Sequence, residues 1–149
     1  MRTDAQSVVI RPAEPSDEPR LRAIAEASKG YWGYDADLVR DWASDLELAG
    51  DVWIAWDGDT ALGWVSLIRL FAETCELRDL WVDPPAIGGG VGTALFGFAR
   101  DQAREWGVAA LRWEAEPHAL GFYERMGAMT VDEATSSWGR TLPVMQVEL

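Results

Sequence analysis

At 149 residues and 48% apolar content, the chain is long enough to bury a core and reads as one domain over 1–149. A net charge of −12 argues against a nucleic-acid partner, whose phosphates it would repel, and is compatible with a cationic or amine ligand. The apolar runs fall well short of bilayer-spanning length, and Met1 to Ile10 shows no cationic segment leading into an apolar run, so neither a membrane partner nor a signal peptide is expected.

The first strand is predicted over Ser7 to Arg11. Helix-start chemistry in Ser16, Asp17, Glu18 and Pro19 opens a helix from about Asp17 to Lys29, with Leu21, Ile24, Ala25 and Ser28 at helical spacing. Gly30 and Gly33 interrupt it around Tyr31, Trp32 and Tyr34. These rings can wall a pocket, because aromatic faces attract ammonium groups, or they can cap the core or pack a dimer. A second helix is predicted from Asp37 to Leu46, with Leu38, Trp42 and Leu46 as its core stripe. Asp51 to Trp56 and Ala61 to Leu70 form a hairpin about Asp57-Gly58-Asp59, with Gly63 as a bulge or a point of close approach. Trp53, Trp56 and Trp64 read as structural payload.

Thr74 to Val82 is the central strand. Simple alternation places Glu76, Arg78, Leu80 and Val82 on one face, and Leu77, Asp79 and Trp81 on the other. Cys75, the single cysteine, reads as a packed, inert thiol; with no internal disulfide available, a reducing, cytoplasmic compartment is expected.

After the strand, Asp83, Pro84 and Pro85 lead into Gly88-Gly89-Gly90-Val91-Gly92-Thr93. Prolines cannot donate to a ladder, so they end the strand. A glycine-lined turn opening a helix offers bare N–H groups to an anion. The loop lacks the Gly-Lys-Ser/Thr of nucleoside triphosphatases, and Thr93 stands where a dinucleotide fingerprint needs its third glycine. A long helix follows from Val91 to Trp106, with Leu95, Phe98, Ala99, Gln102 and Trp106 on one face and Gly107 as its stop. Next come a strand, Ala109 to Ala115, and a short helix, Ala119 to Met126. Two closing strands, Met129 to Ala134 and Val144 to Leu149, flank a loop holding Trp138, Gly139 and Arg140. That loop lines an acceptor side or a dimer surface. His118 is the only histidine and has no partners for a zinc site, so no metal is expected.

Three stretches together carry a family signature: Leu80-Trp81-Val82-Asp83-Pro84, then Ile87-Gly88-Gly89-Gly90-Val91-Gly92, then Phe122-Tyr123-Glu124-Arg125-Met126-Gly127. The chain from Glu76 to Gly127 resembles the GNAT acyl-CoA N-acetyltransferases. The resemblance implies an α/β (α+β) fold, with a mixed, mainly antiparallel twisted sheet and helices on both faces. It departs from the family pattern at Ile87, where a Gln or Arg usually stands.

The resemblance further implies acetyl-CoA as co-substrate. Its diphosphate would sit on Gly88, Gly89, Gly90, Val91, Gly92 and Thr93, and its pantetheine arm along Leu80, Trp81 and Val82. His118 stands near a position usually held by Asn and can still donate a hydrogen bond. The strand after the long helix splays from its neighbour in that fold. Tyr123 is implied as the acid that serves the leaving thiolate. Glu76, six residues before Val82, matches the general base of one branch of the family; a surface carboxylate, with water removing the proton, is the plainer reading. The acceptor would be a primary amine on a small molecule, in contact with Tyr31, Trp32 and Tyr34. The alternatives are a catalytically weak acyl-CoA sensor and a protein or peptide N-acetyltransferase. A homodimer is compatible with either.

Overall fold

A computed structural model describes residues 8–70 and 73–149. Its elements are β1 (Val9–Pro12), α1 (Glu18–Gly30), α2 (Ala36–Asp45), β2 (Asp51–Asp57), β3 (Thr60–Arg69), β4 (Thr74–Val82), α3 (Val91–Glu105), β5 (Ala110–Glu114), α4 (Leu120–Arg125), β6 (Met129–Thr135) and β7 (Thr141–Glu148). Ser7, the expected start of β1, lies outside the described residues. The strands form one sheet in the order β1-β2-β3-β4-β5-β7-β6. Every neighbouring pair is antiparallel except β4 with β5.

Helices cover both faces of this sheet. On one face, Leu95, Phe96 and Ala99 of α3 and Tyr123 of α4 pack on Val65, Leu67, Leu77, Leu111 and Met145. On the other, Leu21, Ile24 and Ala25 of α1 pack on Ile54, Ala61 and Trp64. Trp64 is fully buried, and its indole N–H donates to the Leu21 carbonyl at 2.9 Å, which satisfies the one polar atom that the ring carries inward. The α1 spacing read from sequence is the spacing observed, since Leu21, Ile24, Ala25 and Ser28 are its buried residues.

Two stripes differ from the sequence expectation. In α2 the buried residues are Val39 and Ala43, while Leu38 is 41% exposed. The helix is short and leans on α1, so small side chains make the close contact, while Trp42 and Leu46 pack half-buried against the same core and Trp42 also lines a cavity. Arg22 of α1 holds the end of α2, donating to the carbonyls of Ala43, Ser44 and Leu46, groups that a helix terminus leaves without partners. In α3 the buried set is Val91, Leu95, Phe96, Ala99 and Ala103, so Phe96 rather than Gln102 carries the buried face.

Two irregularities shape the middle of the sheet. The register of β2 with β3 slips between Ala55 and Trp56, and that of β3 with β4 slips between Ser66 and Leu67, leaving Arg78 without a register partner. A bulge shifts a strand's alternation by one residue. Leu77 therefore shares a core with Leu80 and Val82, whereas Trp81 packs with the α1 face. The simple alternation expected for β4 is corrected by this one extra residue.

Gly63 is where β3 and β4 approach most closely: a Cβ there would lie 2.6 Å from the Trp81 carbonyl oxygen and 3.1 Å from Leu95 Cδ1. β4 and β5 pair only from Thr74–Ala110 to Glu76–Arg112. Beyond Glu76 the two strands part, although β4 runs on to Val82 and β5 to Glu114. Among the described residues, no helix is long and apolar enough to cross a membrane.

Candidate active site

The gap between β4 and β5 opens into a cavity of about 690 Å3. One end is the glycine loop. Pro84–Ala86 make a single 3-10 turn, Gly88 and Gly90 take φ of +87° and +86°, and α3 begins at Val91. These left-handed angles suit glycine. No side chain caps α3. Among the described residues, the N–H groups of Gly88, Gly90, Val91, Gly92 and Thr93 make no backbone hydrogen bond. The positive end of a 15-residue helix therefore faces the cavity with its donors unspent. Gly92 faces Phe122, whose ring would lie 3.5 Å, an ordinary contact distance, from a Cβ at that position.

The cavity is lined here by Gly88, Gly90, Gly92 and Thr93, and along β4 by Leu80, Trp81 and Val82. Gly89 and Val91 do not line it; Val91 is buried, with its side chain in the core.

Tyr123 stands at the middle of the cavity, 7% exposed, with Trp113 and Phe122 against its ring at 5.0 and 5.2 Å. Burial, and then the negative charges of Asp79 and Glu116, push its phenol far above the ordinary tyrosine range. It is a neutral O–H donor over the whole physiological range. Trp113 lines the same cavity, and its indole N–H is buried and finds no partner among the described residues. A buried donor without a partner is costly, so Trp113 is suited to a ligand or water acceptor in the cavity.

Behind the cavity wall, Asp79 accepts from Ser66 Oγ and from Trp81 Nε1, each at 3.0 Å, and holds the Trp81 indole in place. Its carboxyl is raised by burial, against the pull of those two hydrogen bonds.

The opposite end of the cavity is aromatic. Trp32 stacks on His118 at 5.1 Å with the rings 7° from parallel, and both line the cavity. Tyr34 lies behind them. Its hydroxyl donates to Glu116 and lies 3.2 Å from His118 Nδ1. Tyr31 packs edge-on against Trp32 and is 54% exposed, outside the cavity lining. The segment after α1 is thus brought to the site through Trp32 and Tyr34.

Two residues that the sequence reading did not single out organise this end. Lys29 Nζ lies 2.6 Å from Glu116 Oε2, with both side chains close to nine-tenths buried. Rings of Tyr34, Trp42, Trp81 and Trp138 surround that ammonium at 5.0 to 5.9 Å. Burial works to raise the Glu116 carboxyl, but hydrogen bonds from Lys29, Tyr34 and His118 outweigh it and hold it at about 2. Glu116 is therefore a fixed anion and a poor base. The available signal was that Lys29 is the only lysine in the chain.

Glu76 stands apart from this constellation. It is not in the cavity lining, its side chain is 38% exposed, and it lies 4.0 Å from Arg78. Among the described residues there is no group of His, Cys, Asp and Glu that could hold a metal ion.

A family model described as the acetyltransferase (GNAT) family matches residues 18–128. The chain belongs to that family. No curated protein sequence is significantly similar to it. Among solved structures, a GCN5-related N-acetyltransferase from Rhodopseudomonas palustris superposes with a TM-score of 0.81 at 22% identity, covering 100% of this chain and 98% of the other. PaiA N-acetyltransferase from Thermoplasma acidophilum, solved in complex with coenzyme A, gives 0.80 at 19% identity, covering 96% and 99%. The ribosomal-protein-S18-alanine N-acetyltransferase from Escherichia coli gives 0.73 at 19% identity, covering 95% and 93%. At these identities the structural likeness establishes the GNAT fold, and the glycine loop, the strand gap and Tyr123 are the parts of that fold with chemistry to offer.

Proposed function

We propose that this GNAT protein transfers an acetyl group from acetyl-CoA to a primary amine on a small molecule, with both substrates bound together. The observation that carries the reading is the continuity of one cavity from the bare N–H groups of the α3 mouth, past Tyr123, to the aromatic chamber around Trp32 and Trp42.

The residues present fit acetyl-CoA. The N–H groups of the glycine loop are donors for a diphosphate and need no cationic side chain, so Ile87 does not disqualify the loop. The β4 edge freed beyond Glu76 offers backbone groups to an amide arm. The buried Trp113 indole N–H supplies one further donor. Acetyl-CoA supplies the activated acyl group. The chain holds the two reactants in one gap, and much of the rate would come from that positioning. Donors fixed around the gap would stabilise charge on the thioester oxygen. Tyr123 holds a proton within the gap for the departing thiolate.

Neither Glu116 nor Glu76 suits proton removal from the amine as well as water does. Glu116 is held too acidic, and Glu76 lies outside the lining. We assign proton removal to water. The chamber is walled by half-buried aromatic rings, which favours a small amine over a protein chain. A cytoplasmic location, a single domain over 1–149 and a homodimer remain part of this proposal.

Calorimetric titration with acetyl-CoA, together with a CoA-release assay over a panel of amines and peptides, tests the reading. Binding with amine-dependent release supports it. Binding without release from any acceptor points to a sensor, and peptides outcompeting small amines points to a protein acetyltransferase.

A further inference from the structure

Lys29 is the only lysine among 13 cationic lysine and arginine side chains. It is also nearly buried, lines the acceptor end of the cavity and sits at the last turn of α1. A planar guanidinium carries its donors in a rigid fork, whereas an ammonium is compact and has three donors it can rotate. One of those three goes to Glu116. Among the described residues, the other two have no hydrogen-bond partner and are bounded only by the faces of Tyr34, Trp42, Trp81 and Trp138. Glu116 accepts from Tyr34 and His118 on Oε1 and from Lys29 on Oε2, so three donors already share its charge.

The charge at this end supports the same conclusion. Lys29 and Glu116 offset each other as a pair, and Arg140 adds a further cation 4.8 Å over the Tyr34 ring. A second cation brought beside Lys29 would be repelled, while an anion would be attracted in a region shielded from water.

We propose that Lys29 recognises a carboxylate on the acceptor, so that the substrate class is an amino-carboxylate with an aromatic or apolar body rather than a diamine or polyamine. This rests on the acetyltransferase reading above. Trp32, Trp42 and Trp81, which line the cavity, receive the apolar body, the ammonium of Lys29 takes the carboxylate, and the amine is left toward Tyr123 and the strand gap. Glu116 holds one N–H of Lys29 and, as the nearest carboxylate, opposes a ligand carboxylate at the same ammonium.

The test compares matched ligands that differ only in charge. Phenylalanine, phenylalaninamide and putrescine are assayed for CoA release. N-acetylphenylalanine and its amide are titrated into CoA-saturated protein by calorimetry. The acid should exceed the amide by about tenfold or more in both kcat/KM and affinity, the scale of a hydrogen bond to a charged group. Lys29→Met should bring that ratio to about one while CoA affinity stays within about twofold. Glu116→Gln, which removes the competing anion, should raise the ratio, and it serves as an independent variant if Lys29→Met does not fold. An amide or diamine used as well as the acid overturns the proposal, as does an acid preference that survives Lys29→Met or an unchanged ratio in Glu116→Gln. Lys29-dependent acid binding without CoA release from any amine would sink the transferase reading and leave the recognition site standing. CoA release with no acid preference would do the reverse.

Discussion

Lys29 and Glu116 lie 87 residues apart in the chain, yet their charged groups meet at 2.6 Å and tie the end of α1 to the turn that precedes α4. The pair closes the acceptor end of the cavity. Removing one member of a buried pair leaves a charge without compensation, and this costs more than the pair contributes. Glu116→Ala should lower unfolding free energy by about 3 kcal/mol in a urea titration.

The same carboxylate sets an acid limit. Burial works against its ionisation, but Lys29, Tyr34 and His118 hold the folded carboxyl at about 2, below the ordinary value of 4.5. A carboxyl depressed on folding stabilises the native state above its unfolded pKa, and the contribution is lost as pH falls through the folded one. Stability should therefore decline between pH 4.5 and 2. In Glu116→Gln that part of the decline should disappear, as read from melting temperatures across the window.

Tyr123→Phe removes the proposed proton donor and keeps the ring that packs on Trp113. We expect kcat to fall by about 10- to 100-fold with CoA affinity retained. Because burial and the charges of Asp79 and Glu116 raise its pKa, the phenol keeps its proton in alkali. The rate should show no downturn from Tyr123 below about pH 10, the ordinary tyrosine value.

Gly90 ends the loop at φ +86° and caps α3 with no side chain. Gly90→Val forces a branched residue into the left-handed region, a strain of about 1–2 kcal/mol. It also moves the N–H groups that face the cavity. Affinity for CoA should drop by at least about tenfold in calorimetry. Unchanged affinity would remove the anion cradle from the mechanism.

Cys75 is fully buried, and burial raises its thiol to about 11. The thiolate is the reactive form. Ellman's reagent at pH 8 should therefore leave the folded protein unmodified and label one thiol in urea. Rapid labelling of the native state would contradict the packing of β4.

Much of the fold was legible because local patterns carried it. Leu21, Ile24, Ala25 and Ser28 announced α1 and its buried face, and the double proline with Gly88 and Gly90 announced the end of β4 and the start of α3. Gly63 was flagged as a close approach and proved to be one, against the Trp81 carbonyl. The α2 stripe was misplaced at Leu38 alone, since Trp42 and Leu46 pack on the core, and only the fit against α1 adds Val39 and Ala43. The β4 alternation failed at Arg78 because a bulge is a mismatch between two strands and leaves no mark in either one alone.

The sequence by itself determined the elements, the acetyltransferase family and the glycine mouth, since each rests on residues close together along the chain. Only the tertiary structure decided the acceptor end. Lys29, Trp42, Trp81, Glu116 and Trp138 come from five separate segments, and what joins them is an ammonium group with a carboxylate at hydrogen-bond distance and aromatic rings around it. Such contacts depend on distance in space, which the order of residues does not encode locally.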